Sequence, residues 1–134
     1  MKTNYPEPTE SELEILQILW QKGSATVREV HDVLEKQKDV GYTTTLKLMQ
    51  IMVEKGILDR DTTQRIHVYK PLIPQSSVET NLISKLRQKI FSGSASRLVI
   101  GALSSEPVSE QELEEIREFL DSYTKDNHSK TSPK

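Results

Sequence analysis

Residues 41–56 constrain the fold of this chain more than any other segment. At about 100° per residue, the side chains that suit a core collect on one side of a helix and the polar ones on the other. The first side holds Thr45, Leu48, Met49, Met52 and Val53, and the second holds Thr43, Lys47, Gln50 and Glu54. A core needs only the first set. Because hydroxyl, amide and ammonium groups can reach phosphates and base edges in a major groove, the segment is predicted to be a recognition helix.

Two capping boxes predict the helices before it. Thr9 with Glu12 predicts a helix over roughly residues 9–22, and Thr26 with Glu29 predicts a short amphipathic helix over roughly residues 26–36. Gly56 is placed to end the third helix in the left-handed conformation. The chain therefore begins with a helix-turn-helix preceded by one further helix.

The apolar period then changes from helical to strand-like. Residues 57–60 and 66–69 flank the polar stretch 61–65, which suits the tip of a hairpin. A two-stranded hairpin is marginal alone and needs a helix to pack on. The predicted fold is mainly α, with a winged helix-turn-helix DNA-binding domain over residues 1–73.

Residues 74–123 are predicted to form three further helices. They are residues 76–91 behind a Ser76–Glu79 capping box, the short apolar segment 95–103, and a last helix announced by Ser109 with Glu112. Three short helices cannot bury their apolar side chains alone, so a dimerisation domain is expected. The alternative is that these helices fold back on the winged helix as one monomeric core. The polar tail, residues 124–134, is predicted to be disordered. The predicted dimerisation residues are Leu82, Leu86, Ile90, Leu98, Leu103, Leu113, Ile116 and Leu120.

Several of these residues together resemble the BlaI/MecI penicillinase repressors and their CopY-like relatives. The resemblance rests on residues 12–16 with Trp20, on Tyr42-Thr43-Thr44, Leu48, Glu54-Lys55-Gly56, Arg60, Tyr69 with Pro71, and on residues 109–116. It implies a dimeric transcriptional repressor that binds palindromic operators in double-stranded DNA upstream of resistance or stress-response genes. In the best known members, a membrane-bound sensor with a metalloprotease domain triggers cleavage of the repressor, and this relieves repression.

The chain departs from that family pattern at three places. Leu46 and Ile51 are aliphatic where members often carry basic residues, so an operator sequence does not transfer. Gly101-Ala102 stands where the penicillinase repressors have the Asn-Phe pair that is cleaved. The chain has no cysteine, which excludes copper sensing through thiolates.

The candidate DNA contacts lie on the second and third helices and on the wing. Each has a plainer alternative: Thr43 caps its helix, Thr44 bonds to a nearby carbonyl, Tyr42 packs in the turn, and the others are solvated. Leu46 and Ile51 either pack on the wing or meet thymine methyl groups. The predicted contacts are Thr26, Tyr42, Thr43, Thr44, Lys47, Gln50, Arg60 and Arg65.

Two alternatives to this function are weighed, one from the net charge and one from the placement of the titratable residues. The net charge of −2 favours a winged helix used for protein contacts, although basic residues outnumber acidic ones between Lys22 and Lys70. An enzyme is not expected, because the three histidines fall in separate elements and the glutamates of the last helix suit a solvated face. No cofactor or metal is therefore predicted.

Without a long apolar run or a signal pattern, the chain is expected to be cytoplasmic.

Overall fold

The structure, a computed structural model, describes residues 5–130, with the side chains of residues 127–130 left out. It is mainly helical with a small antiparallel hairpin, as predicted. The elements in chain order are α1 (Glu10–Lys22), α2 (Val27–Gln37), α3 (Tyr42–Glu54), β1 (Leu58–Asp61), β2 (Val68–Pro71), α4 (Gln75–Lys89), α5 (Ala95–Ser105) and α6 (Glu110–Lys130).

Both predicted capping boxes at the start of the chain are present. At α1 the Thr9 hydroxyl accepts from the Glu12 N–H at 3.2 Å, and the Thr9 N–H donates to Glu12 Oε1 at 2.9 Å. Thr26 and Glu29 make the same pair of bonds at α2. Each box satisfies backbone donors that the first turn of a helix leaves unpaired.

The start of α3 differs from the expectation that Thr43 or a neighbour caps it. Gly41 is the N-cap, so the helix begins at Tyr42 and no side chain caps its first turn. Thr43 and Thr44 lie inside that turn instead, and both are exposed. The other end is as predicted: Gly56 follows the helix with φ of 83°, a conformation that glycine adopts without steric cost.

The hairpin closes one core with the first three helices. Its strands pair in the register Leu58 with Pro71 and Arg60 with Tyr69, and Tyr69 also bridges to Ala25. β1 packs beside α3 and β2 beside α1. The core they enclose contains Ile15, Leu16, Leu19, Val30, Met49, Met52, Ile57, Leu58, Tyr69 and Ile73.

The first compact unit extends beyond the predicted boundary at residue 73. It ends at Ile83, because Val78 is buried in its core and Leu82 packs against that core. The segment that follows β2 is anchored to the first unit, because Ile73 is buried and its carbonyl accepts from Trp20 Nε1 at 2.9 Å. The predicted Ser76 cap is also wrong, since α4 already begins at Gln75 and Pro74 accepts the first bonds of its turn.

The second compact unit, from Ser84 onward, holds the rest of α4 with α5 and α6. Ser94 caps α5 by accepting from the Arg97 N–H, and the Ser109 hydroxyl accepts from the Glu112 N–H at 3.1 Å, which is one of the two bonds of a capping box. α6 continues to Lys130, so the prediction of a disordered tail is wrong for residues 124–130. Each residue added to α6 gains one backbone hydrogen bond. From Glu110 to the residue before Pro133, the sequence has no glycine or proline that would end the helix. Residues 131–134 lie outside the described part.

No helix between residues 5 and 130 is long and apolar enough to cross a membrane.

Candidate nucleic-acid interface

The outer face of α3 is a row of exposed polar side chains. Thr43, Thr44, Lys47 and Gln50 are all exposed, whereas Thr45, Met49 and Met52 on the opposite side are fully buried. The core therefore holds α3 by one side only. The other side presents two hydroxyls, an ammonium and an amide along about two turns of helix, and these groups can donate to phosphates and base edges.

The two aliphatic residues of α3 that the sequence left open have different surroundings. Leu46 is half-buried and packs against the core. Ile51 is 37% exposed on the described surface of the first unit. An apolar side chain at that exposure is available for contact with a thymine methyl group.

A partly buried ion pair positions the carboxyl end of α3. Lys55 Nζ lies 2.7 Å from Glu12 Oε2, and the Glu12 side chain is only 3% exposed. The other oxygen of that carboxylate accepts from Thr9, so one side chain caps α1 and ties it to the end of α3. A second acid of α1, Glu14, pairs with Lys38 at 3.0 Å. Each pair uses one lysine of the range 22–70 together with one acid, so the two pairs leave the net charge of the first unit unchanged.

The amino end of α3 rests on a histidine in α2. His31 is 3% exposed, its Nδ1 lies 3.1 Å from Thr45 Oγ1, and its ring meets the Tyr42 ring edge-on at 5.5 Å between centroids. Tyr42 is itself 37% exposed, and the Arg28 guanidinium lies over its ring at 4.3 Å from the centroid. Tyr42 therefore packs in the turn, which is the alternative to a DNA contact that the sequence offered for it.

Arg28 was absent from the predicted contacts, and the structure places it beside them. Its exposed guanidinium joins the first turn of α2 to the first turn of α3. The available signal was its position: it is the second residue of a helix, where the macrodipole disfavours a cation. Thr26, which was predicted, is half-buried at the N-cap, where its hydroxyl and its N–H both bond to Glu29.

The wing carries both predicted arginines in exposed positions. Arg60 is on β1 opposite Tyr69, and Arg65 is in the turn between the strands. The turn is ordered by Asp61, whose carboxylate accepts from the Thr63 N–H at 2.9 Å and the Thr63 hydroxyl at 2.8 Å. These two bonds, the backbone one first, lower the pKa of the Asp61 carboxyl.

An open cavity of about 440 Å³ lies beside the wing. Its lining mixes both signs of charge, so it does not define a site for an anion or for a cation alone. The lining residues are Ser24, Asp59, Arg60, Asp61, Thr62, Thr63, Val68 and Lys70.

In the described part, no group of three or more histidine, cysteine, aspartate or glutamate side chains could hold a metal ion.

Three helices, a wing and an outward polar face on the third helix define the winged helix-turn-helix class. The chain belongs to the penicillinase repressor family, whose model matches residues 8–122. Since this is a family of repressors, the expectation that the chain is not an enzyme is confirmed.

Named relatives agree with this assignment along most of their length. The chain is 27% identical over 114 residues to the methicillin resistance regulatory protein MecI of Staphylococcus aureus strain N315, which covers 85% of this chain and 93% of that one. It is 24% identical over 125 residues to a penicillinase repressor of Staphylococcus aureus, which covers 93% and 99%. A solution structure of the DNA binding domain of the repressor BlaI is also similar, with a TM-score of 0.49 and 27% identity over 56% of this chain and 92% of that chain.

Proposed function

We propose that this protein is a dimeric, cytoplasmic transcriptional repressor that binds a palindromic operator in double-stranded DNA. The observation that carries the proposal is the exposed polar face of α3 on a helix whose other side is fully buried. A helix held in this way can enter a major groove without disturbing the core. Membership of a family named for penicillinase repression supports the same function.

The proposed mechanism is occlusion of the regulated promoter. Two recognition helices of a dimer enter successive major grooves about one helical turn apart, with Lys47 and Gln50 near base edges. Thr43 and Thr44 in the first turn of α3 bind there too, and Arg60 and Arg65 of the wing bind phosphates on either side. Because this surface is only weakly basic, specific binding is expected to be modest in strength and strongly weakened by salt.

The second unit supports dimerisation through its unburied apolar side chains. No residue of Ala95–Ser105 is buried, although this is the most apolar helix of the unit. Of the predicted dimerisation residues, Leu98, Leu103, Leu113 and Ile116 are half-buried, whereas Leu86, Ile90 and Leu120 are exposed. Leu82 is left out of the proposed interface because it packs against the first unit. Further exposed apolar residues of the second unit, which join the proposed interface, are Val99, Ile100, Phe119 and Tyr123.

Relief of repression by a sensor-triggered protease stays a prediction from the family. The Gly101–Ala102 bond, at the position of the family's cleavage site, lies inside α5. Proteases bind extended backbone, so cleavage there requires that α5 unwinds.

A titration of the protein against the DNA upstream of its own gene and neighbouring genes tests the proposal, at about 50 and 200 mM salt. Saturable, salt-sensitive binding with two chains per site is expected. Lys47→Ala should lower operator affinity by roughly five- to 150-fold if the ammonium contacts a base, and Arg65→Ala should lower affinity for every sequence. Lys89→Ala removes the same charge from the second unit and serves as the control. Binding with no preference over random DNA would instead favour a winged helix used for protein contacts.

Dimerisation is tested separately by light scattering after size exclusion. Ile100→Glu places a charge at a residue that is 62% exposed in the single chain, so the chain should fold and become monomeric. Gln111→Glu adds the same charge to an exposed polar position of α6 and should leave the dimer intact. A wild-type protein that elutes as a monomer would contradict the proposal.

A further inference from the structure

The charge of Arg28 has no evident role in the stability of its own helix. It is the second residue of α2, where the positive end of the helix dipole disfavours a cation. Its ion pair with Asp32 is long, at 3.9 Å, and the two side chains are 62% and 58% exposed. Exposed pairs of this kind contribute little. The position therefore calls for another explanation.

The Arg28 guanidinium is nevertheless held in a defined place. Its Cζ lies 4.3 Å from the centroid of the Tyr42 ring. The same ring meets the buried His31 edge-on, and His31 contacts Thr45, which is fully buried. The platform beneath Arg28 is thus connected to the core through two packed side chains. A guanidinium held over a ring face keeps its N–H donors for other partners, and because it is already positioned it loses less conformational freedom on binding an anion.

Tyr42 is also the residue directly before Thr43 and Thr44 on the exposed face of α3. Arg28 is therefore next to the surface that enters the groove, at the start of the recognition helix. A planar, always charged fork matches the oxygens of a phosphate better than an ammonium does.

We propose that Arg28 binds a phosphate of the DNA backbone, with the ring of Tyr42 as its platform. The proposal rests on the DNA-binding function proposed above. It assigns Tyr42 to holding Arg28 through its ring rather than to binding DNA through its hydroxyl. Arg28 then contributes affinity that does not depend on the base sequence, while α3 supplies the specificity.

The test measures affinity by fluorescence anisotropy for an operator duplex and a random duplex between 50 and 200 mM salt. Arg28→Ala should weaken binding to both duplexes by the same factor. Because each of the two chains then neutralises one phosphate fewer, the slope of log affinity against log salt should fall by about 1.8. Over that fourfold salt range the affinity of the wild type should decrease about twelvefold more than that of the variant. Lys36→Ala, in the last turn of the same helix, is the charge-matched control and should keep the wild-type slope.

Substitutions of Tyr42 separate the ring from the hydroxyl. Tyr42→Phe keeps the ring and should bind as the wild type does. Tyr42→Leu should weaken binding, and Arg28→Ala should then cost less than it costs in the wild-type background. Arg28→Lys keeps the charge and should keep the slope while losing part of the affinity. Circular dichroism and the urea midpoint check that each variant is folded.

The outcomes distinguish this proposal from the one on which it rests. Wild-type binding with an unchanged salt slope in Arg28→Ala would overturn the assignment of Arg28 alone. An effect of Arg28→Ala confined to the operator duplex would also overturn it, because it would indicate a base contact. Absence of wild-type binding to either duplex would overturn the DNA-binding function and this assignment together.

Discussion

Replacing Lys55 with methionine is expected to destabilise the first unit by about 1–3 kcal/mol. Methionine keeps an unbranched stem of similar length but removes the ammonium, which lies 2.7 Å from Glu12 Oε2. The Glu12 carboxylate then stays buried at 3% exposure with only the Thr9 N–H bonded to it. Breaking a fully buried pair costs about 3–5 kcal/mol. The lower range applies here because Lys55 is 39% exposed, so water can reach the vacated position.

The matched control is the other ion pair that ends on α1. Lys38 and Glu14 lie 3.0 Å apart with side chains 43% and 38% exposed. Lys38→Met makes the same chemical change at a wetter pair and should cost only about 0.2–1 kcal/mol. Glu12→Gln combined with Lys55→Met removes the buried charge while an oxygen stays available to Thr9. The double variant should therefore recover part of the loss.

Urea unfolding followed by tryptophan fluorescence measures these differences. Trp20 is the only tryptophan, and its indole bonds to Ile73, so its emission reports the first unit rather than the second. Protein concentration is kept constant because association would shift the midpoint. A cost of Lys55→Met equal to that of Lys38→Met would refute the reasoning, and so would a double variant that is less stable than Lys55→Met.

Three further changes have expected outcomes. Trp20→Phe leaves the Ile73 carbonyl without its indole donor and should lower the unfolding free energy by about 1–3 kcal/mol, with an earlier circular dichroism midpoint in urea; an unchanged midpoint would show that the bond contributes nothing. Ser92→Gly should stabilise the protein by about 0.5–1 kcal/mol, because Ser92 has φ of 53°, and a drop in melting temperature would contradict this. The pKa of Asp61, followed by carbon NMR, should lie below that of an ordinary exposed aspartate, and Thr63→Val should raise it only part of the way because the backbone N–H bond remains. Since the folded-state pKa is lowered, the contribution of Asp61 to wing stability is present at neutral pH and disappears as the pH falls through that pKa, and a titration at the ordinary value would refute it.

Predictions from the sequence succeeded where the signal was local. Thr9 with Glu12, Thr26 with Glu29 and Ser109 with Glu112 each bond across three residues, so their patterns predicted where helices begin. The same kind of pattern misled at Ser76, because Pro74 offers a carbonyl that starts the helix one residue earlier. Composition misled at the tail, where polar residues continue α6 to Lys130.

Periodicity also predicted which side of α3 is buried, although it could not predict what holds the helix. Thr43, Lys47 and Gln50 are exposed as expected. The supporting contacts come from other elements, namely Glu12 at one end and His31 with Arg28 at the other. Arg28 could have been suspected from its place in the first turn of α2, but its stacking on Tyr42 could not.

The sequence by itself determined the helices, the hairpin and the family, because capping, helical period and turn chemistry depend on residues a few positions apart. Only the tertiary structure decided the pairing of Glu12 with Lys55, 43 positions apart, and of Trp20 with Ile73, 53 positions apart. It also decided that Val78 and Leu82 belong to the first core, which moves the boundary between the units to Ile83. The physical reason is that burial and ion pairing depend on which surfaces meet once the chain has folded, and spacing along the chain does not encode that meeting.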